Sequence, residues 1–194
     1  MQFPLRFSFK ILGFAPQIYV YDSTDSEVFY VKQKLFKLKE DISVFRTSAQ
    51  QDLVAQIKAD RIMDFSACYH FHVDGDVVGA VRRKGMRSIF KAEYHVLDSQ
   101  DLHELTITED SAMVKVVDGI VGGIPLIGFL LAMFINPSYT VKDLDGKGLF
   151  QVHKKPAFFE GKFELTKLSD TTPEIEQRSL LAVMMMLLLE RSRG

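Results

Sequence analysis

Residues 71–86 read FHVDGDVVGAVRRKGM. A short apolar strand reaches an acidic turn at Asp74 and Gly75, a second strand follows, and that strand ends in a basic cluster. An Asp-Gly pair is typical of hairpin turns, because glycine accepts the positive φ that a tight turn requires. The same order recurs in residues 18–36, IYVYDSTDSEVFYVKQKLF, and in residues 139–158, YTVKDLDGKGLFQVHKKPAF. The repeat therefore predicts antiparallel hairpins in series.

The links between these copies also read as strands. Residues 45–62 form a degenerate copy, and residues 3–11 alternate strictly between apolar and polar side chains. The chain is predicted to form about twelve strands, near residues 3–12, 17–22, 27–34, 41–46, 52–58, 68–73, 77–84, 89–97, 102–109, 139–143, 147–154 and 160–168. Closure into an antiparallel barrel removes the two exposed edges of such a meander. About twelve strands enclose a hole that their own side chains do not fill, so a plug is expected.

The carboxy-terminal segment is the predicted plug. Thr171 or Thr172 can cap a helix, and Pro173 suits its first turn. From Leu180 to Leu189 the segment is apolar on every face, which is typical of a helix buried within protein. These ten residues rise only about 15 Å, half the thickness of a hydrocarbon core. The sequence thus predicts a central helix over residues 172–192.

Composition places the chain among single-domain proteins. It has 194 residues, 47% of them hydrophobic and 25% charged, which predicts one domain over residues 1–194. A formal net charge of −1 argues against nucleic acid as a partner. Cys68 is the sole cysteine, so no disulfide is expected and a cytoplasmic location is the default.

The strand pattern, the buried helix and the phrase VFYVKQKLFKLKEDISVF at residues 28–45 resemble the LURP-one-related family. That family is similar in fold to the tubby carboxy-terminal domain and to the phospholipid scramblases. The resemblance covers roughly residues 27–189 and rests on structural repeats. It implies a twelve-stranded barrel threaded by its last helix, no known catalytic residues, and relatives that bind phosphoinositides or act at membranes. Where such proteins have a short loop between the ninth and tenth strands, this chain has an insertion over residues 110–138.

Basic side chains recur where strands three, seven and eleven end. In a meander every second strand runs the same way, so these ends are expected at one side of the barrel, where cations near an anionic surface contribute about 1 kcal/mol each. We call the following residues the basic rim and predict that they bind lipid head groups: Lys32, Lys34, Lys37, Arg82, Arg83, Lys84, Arg87, Lys154 and Lys155. The alternative is that they are ordinary solvated strand ends that discourage unwanted pairing.

The insertion contains GIVGGIPLIGFLLAMFI, residues 119–135, without a charge, amide or hydroxyl. Three alternatives are open: a hairpin that dips into a bilayer, a helix packed over the barrel mouth or a partner, and a membrane span. Seventeen residues rise about 25 Å, and a single pass would separate nine strands of one barrel from three, so the span is least favoured. The predicted membrane-inserting residues are Ile120, Val121, Ile124, Leu126, Ile127, Phe129, Leu130, Leu131, Met133, Phe134 and Ile135.

One observation opposes the membrane hypothesis. An acidic run approaches and enters the insertion, and an anionic bilayer would repel it. Its members are Asp98, Asp101, Glu104, Glu109, Asp110 and Asp118, offset by Lys115.

Signals for chemistry are weak. The glycines of residues 122–128 lack the Lys, Ser or Thr of a phosphate-binding loop. His70 and His72 share a strand face but are more typical of surface residues than of a metal site. Asp143 and Asp145 resemble half of a calcium loop, yet a hairpin turn explains them better. No catalytic residue, metal or cofactor is predicted.

The leading hypothesis is a non-enzymatic barrel at the cytoplasmic face of a membrane, with the basic rim on anionic phospholipid head groups and residues 119–135 in the bilayer. The alternative is a soluble cytoplasmic interaction module whose insertion docks a protein partner or a second copy. Scramblase-like lipid transport is a further alternative, based on the resemblance alone.

Overall fold

The computed structural model describes residues 1–10, 16–34, 41–61, 67–84, 92–110, 138–155 and 161–191. The strands are β1 (Leu5–Lys10), β2 (Gln17–Tyr21), β3 (Glu27–Gln33), β4 (Asp41–Phe45), β5 (Leu53–Ala59), β6 (Cys68–Val73), β7 (Asp76–Arg83), β8 (Glu93–Leu97), β9 (His103–Glu109), β10 (Ser138–Asp143), β11 (Gly148–Lys155) and β12 (Lys162–Lys167). A helix, α1, spans Pro173–Arg191. Within the described residues every predicted strand is confirmed, and so is the helix, whereas residues 11–12, 89–91, 160 and 192 of the predicted elements lie outside them.

The strands form a closed antiparallel barrel. Each strand pairs with its neighbours in the chain, and β1 also pairs with β12, with Leu5 opposite Leu165. Both of these residues are fully buried. The predicted closure is confirmed, and the backbone groups that would form an exposed edge are paired instead.

Alternation along each strand separates the core from the surface. In β1, Leu5, Phe7 and Phe9 are buried while Arg6 and Lys10 are exposed. Apolar side chains of the other strands join them in one core cluster with the helix. The interior is therefore made of the inward faces of the strands and one apolar helix.

Helix α1 lies inside the barrel. Thr172 caps it, because its Oγ1 accepts a hydrogen bond from the backbone N–H of Ile175 at 3.3 Å. The helix is buried on every face from Ser179 to Leu188. The three methionines at 184–186 are each at most 1% exposed and pack among the inward side chains of the strands.

One side of the helix is anchored to the wall. The guanidinium of Arg178 donates to both carboxylate oxygens of Glu104, at 2.6 and 2.7 Å, and to the carbonyl oxygen of Val78 at 3.4 Å. Gly79 of β7 makes this approach possible, since a Cβ there would lie 2.7 Å from Cδ of Arg178. The helix consequently lies closest to β6, β7 and β8.

The two ends of the barrel differ in their connections. We call the end at which the odd-numbered strands finish the loop end, and the end at which the even-numbered strands finish the turn end. Helix α1 runs from the turn end, where Glu176 pairs with Lys167 at 2.8 Å, to the loop end, where Arg191 donates to the carbonyl oxygen of Lys10.

The turns at the turn end are tight and use aspartate. Asp74 and Gly75 both have positive φ, 51° and 95°, as the predicted hairpin turn requires. In the turn after β10, Asp143 Oδ1 accepts backbone N–H bonds from Asp145 and Lys147. The predicted hairpin turn is confirmed at this position.

Candidate functional site

The predicted basic clusters lie at one end of the barrel. Strands β3, β7 and β11 run in the same direction, so all three clusters are at the loop end. Lys37 and Arg87 of the basic rim lie outside the described residues. The prediction that strands three, seven and eleven finish at the same end of the barrel is confirmed. Lipid binding by these residues stays a prediction.

Three lysines of the basic rim are already paired with carboxylates. Lys34 lies 3.3 Å from Asp41, Lys84 lies 2.9 Å from Glu93, and Lys155 lies 2.7 Å from Glu164. The hydrogen bond from Lys84 lowers the pKa of the Glu93 carboxyl and burial raises it. The hydrogen bond has the larger effect, so the pKa is lowered. These lysines consequently bring little unbalanced charge to the loop end.

Two exposed members of the basic rim are not neutralised in this way. Arg82 and Lys154 point away from the core, and among the described residues no carboxylate forms an ion pair with either. Lys10 and Lys162 are exposed cations at the same end, although the sequence argument did not include them. The cations best placed to meet an anionic ligand are therefore Arg82, Lys154, Lys10 and Lys162.

Lys32 is directed away from the loop end. Its Nζ donates to the side-chain oxygen of Gln50 at 3.2 Å, and Gln50 belongs to the turn between β4 and β5 at the turn end. A long lysine side chain can lie along a strand in either direction, so strand position alone did not reveal this.

Arg83 faces the interior. It lies two residues after the buried Val81, and its guanidinium is 6.0 Å from the ring of Tyr94, which is fully buried. Its Nε and Nη1 atoms are buried and have no hydrogen-bond partner among the described residues. Alternation along β7 places this cation inside the mouth, while Arg82 is on the surface.

A tyrosine–glutamate contact lies beside Arg83. The hydroxyl of Tyr94 donates to the carboxylate of Glu190 near the end of α1. Burial, reinforced by the negative charge of Glu190, raises the pKa of Tyr94 and of Tyr139 well above the usual tyrosine range. Both phenols are thus neutral at physiological pH, and the hydrogen bond from Tyr94 joins the last turn of the helix to the wall.

The turn end is rich in aspartate. Aspartates occur in or beside each of its connections: Asp22, Asp25, Asp52, Asp74, Asp76, Asp98, Asp101, Asp143, Asp145 and Asp170. Aspartate is therefore a constant feature of the turn-end connections, although Asp41, Asp60 and Asp110 lie at the loop end. The sequence held this signal, because every second connection is aspartate-rich, but it becomes visible only when the connections are sorted by end.

Phenylalanine is also distributed unevenly between the two ends, and it is found in the connections at the loop end. The sequence places at least one phenylalanine in every connection that joins strands at the loop end: Phe14, Phe36, Phe65, Phe90, Phe129, Phe134, Phe158 and Phe159. The connections at the turn end, residues 22–26, 46–52, 74–75, 98–102, 144–147 and 168–172, contain none. By composition, apolar connections follow the basic strand ends and polar connections follow the other ends.

The insertion enters and leaves the barrel at neighbouring positions. Strands β9 and β10 pair in register, with Glu109 opposite Tyr139. Asp110 closes the gap between them: its N–H donates to the carbonyl oxygen of Ser138 at 2.8 Å, and its carboxylate accepts from the hydroxyls of Ser138 and Thr140, each at 2.8 Å. Both ends of the insertion are therefore at the loop end.

Residues 119–135 themselves lie outside the described residues, so the three alternatives for them stay predictions. In the parts of the chain that the structure describes, no helix has the length and apolarity that a membrane crossing needs.

The acidic run does not converge on the insertion. Asp98 and Asp101 lie in the turn between β8 and β9, at the turn end. Glu104 is paired with Arg178 of the helix, and the carboxylate of Asp110 is used between β9 and β10. Strand β9 therefore divides the run between the two ends of the barrel, with Glu109 and Asp110 beside the insertion, and the expected repulsion from an anionic bilayer stays a prediction. Asp118 is outside the described residues.

The Asp110 carboxyl is expected to make stability depend on acid pH. Burial opposes its ionisation, but hydrogen bonds from Ser138, Thr140 and Gln151 outweigh burial and lower its pKa. The stabilisation is complete above about pH 3.9, the value of an unfolded aspartate, and is lost as the pH falls through the lower folded-state pKa. Asp110→Asn should make the free energy of unfolding less dependent on pH in this acid range. At pH 7 it should lower the free energy of unfolding by about 1.5 kcal/mol.

Urea titrations followed by circular dichroism between pH 7 and pH 2.5 would measure this. Asp145→Asn, in an exposed turn, is the matched control and should follow the parent protein. Identical curves for the two variants would contradict the role assigned to Asp110.

The weaker sequence signals are also located. His70 and His72 alternate with the buried Tyr69 and Phe71, so the two histidines share an outward face as predicted. His95 and His103 stack at 4.1 Å between ring centroids. Within the described ranges, no group of three or more His, Cys, Asp or Glu side chains is arranged to hold a metal ion.

The described residues thus define a class by shape: a closed, twelve-stranded antiparallel barrel around one apolar helix. The chain matches no family model, no curated protein and no solved structure in the comparisons with known proteins.

Proposed function

We propose that the protein is a tubby-like barrel that associates with anionic membranes through its loop end. One observation carries the proposal: the barrel topology brings phenylalanine-bearing connections and exposed cations to the loop end, whereas every connection at the turn end has aspartate in or beside it and no phenylalanine. Apolar side chains flanked by Lys and Arg are the pattern of proteins that lie in the membrane interface. Enzymatic activity is not part of the proposal.

Electrostatics supports a single orientation. An anionic surface attracts Arg82 and Lys154 and repels the aspartate-rich turn end, so the two effects favour the same pose. Of the acidic run that opposed the membrane hypothesis, Asp98 and Asp101 lie at the turn end, and the carboxylate of Asp110 at the loop end is hydrogen-bonded to Ser138 and Thr140. Residues 119–135 are joined to the loop end at both of their ends and would be carried to the same surface.

Replacing two unpaired cations should weaken vesicle binding. The double variant Arg82→Gln, Lys154→Gln removes two exposed charges at about 1 kcal/mol each, so its affinity for vesicles containing phosphatidylserine should fall about 30-fold. The measurement is cosedimentation of the full chain with vesicles of phosphatidylcholine with and without phosphatidylserine, at low and high salt. The matched control, Arg6→Gln with Lys147→Gln, removes the same charge at the turn end and should bind as the parent protein does.

Two outcomes would overturn the proposal. One is absence of binding by the parent chain at low salt, and the other is equal binding by the two double variants. A chain lacking residues 119–135 completes the test. Reduced vesicle partition supports the proposal, whereas loss of a protein complex with unchanged vesicle binding identifies the insertion as a docking segment for a partner or a second copy.

A further inference from the structure

A cavity separates helix α1 from part of the barrel wall, next to the strands to which the helix is anchored. It has a volume of ≈ 230 Å³, opens at the turn end, and lies between the helix and strands β3 to β5. The wall contributes Phe29, Val44 and Ala55, and the helix contributes Leu180, Leu181 and Met184. Because Arg178 and Gly79 hold one face of the helix close to β7, the free space is left beside the face that carries Leu180, Leu181 and Met184.

The cavity is long and apolar. Helical residues from Pro173 to Met184 line it, and eleven residues of helix rise about 16 Å. Val44 and Ala55 face each other in the sheet register and are buried, so the short side chain of Ala55 leaves the depth of the cavity open. A volume of ≈ 230 Å³ spread over this length suits one extended hydrocarbon chain better than a compact ring system.

A cation lies at the mouth. Arg46 lines the cavity, is exposed to solvent, and places its guanidinium 5.6 Å from the ring centroid of Phe29. No described carboxylate forms an ion pair with Arg46, whereas Glu176, the acidic residue of the lining, is paired with Lys167. Among the side chains that line the cavity, the guanidinium of Arg46 is thus the charge without an ion-pair partner in the described residues, and a guanidinium can bind a carboxylate in a bidentate manner.

We propose that this cavity binds a single-chain fatty acid, with the hydrocarbon chain between α1 and β3 to β5 and the carboxylate on Arg46. An apolar slot with a guanidinium at its opening matches the two parts of such a molecule. The site is at the turn end, whereas Arg82 and Lys154 are at the loop end, so it is independent of the proposed membrane contact.

Calorimetric titration of the full chain with laurate, below the concentration at which laurate forms micelles, tests the proposal. We expect one site per chain and a negative heat-capacity change from burial of the hydrocarbon. Ala55→Leu fills the cavity and should weaken binding at least tenfold. Arg46→Gln removes the charged hydrogen bonds and should weaken it about tenfold. Lys147→Gln removes a charge from another turn at the same end and should leave the affinity unchanged.

Dodecanol has the same hydrocarbon chain as laurate and no charge, so it should bind the parent protein more weakly than laurate does. The parent protein and the Arg46→Gln variant should bind dodecanol with equal affinity. Absence of saturable laurate binding, or full affinity in the Ala55→Leu variant, would overturn the site. Equal affinity for laurate and dodecanol would overturn the role of Arg46. If Ala55→Leu fails to fold, the exposed Arg46→Gln variant decides alone. Vesicle binding should be unaffected by either substitution, so failure of this site is distinguishable from failure of the membrane proposal.

Discussion

Alanine in place of Gly79 is expected to lower the free energy of unfolding by at least about 3 kcal/mol. A Cβ at this position would lie 2.6 Å from the carbonyl oxygen of Leu97 and 2.7 Å from Cδ of Arg178. The φ of Gly79, +156°, is also rarely adopted by residues with a side chain. The clash with Leu97 is with backbone, so only a shift of β7 against β8 can relieve it, and the clash with Arg178 requires that side chain to move as well.

Gly75→Ala and Gly146→Ala separate the two contributions. Both glycines have positive φ, 95° and 84°, but a Cβ at either would meet nothing within 4 Å. Each control should lose only about 1 kcal/mol, the backbone contribution alone. Urea unfolding followed by circular dichroism would give the three values, provided that the denaturant dependence stays constant. A loss at Gly79 no larger than that at Gly75 would show that the helix does not depend on this close approach.

Arg178→Met is expected to cost about 3 kcal/mol, because it leaves the Glu104 carboxylate facing the helix without its cation. The side chains are only 12% and 25% exposed, so water replaces the lost hydrogen bonds poorly. In the double variant Arg178→Met, Glu104→Gln, the stranded charge is gone and part of the stability should return. Unfolding of the parent protein, the two single variants and the double variant gives the coupling energy between the two residues.

The exposed pair of Arg6 and Asp25 is the matched control for that measurement. The side chains are 45% and 82% exposed, so a coupling energy below about 1 kcal/mol is expected from the same kind of cycle. Equal coupling in the two cycles would mean that Arg178 is a surface contact and not the anchor of the helix.

Most of the fold could be predicted because its signals are local. The Asp-Gly turn at residues 74–75 and the alternation of β1 depend on neighbouring residues only, and the structure has both where the sequence indicates. The helix was visible because residues 180–189 are apolar on every face. Closure followed from a physical argument about edges, and the pairing of β1 with β12 confirms it.

The candidate site was only partly predictable, because side-chain direction depends on contacts between distant residues. Strand parity placed the clusters of β3, β7 and β11 at one end, but not the turn of Lys32 toward Gln50. The cavity was missed for a similar reason. It exists because Arg178 reaches Glu104, 74 residues away in the chain, and holds the helix off centre. No pattern of spacing contains that information.

The position of α1 after all twelve strands has a consequence for synthesis of the protein. A ribosome releases the whole wall of the barrel before it releases the helix that fills it. During that interval the inward faces of the strands, rich in Phe, Val and Ile, have no partner to cover them, and β1 must wait for β12 before the ring can close. We therefore expect the nascent chain to bind chaperones that shield apolar surface. Folding should be completed only after the helix has been translated.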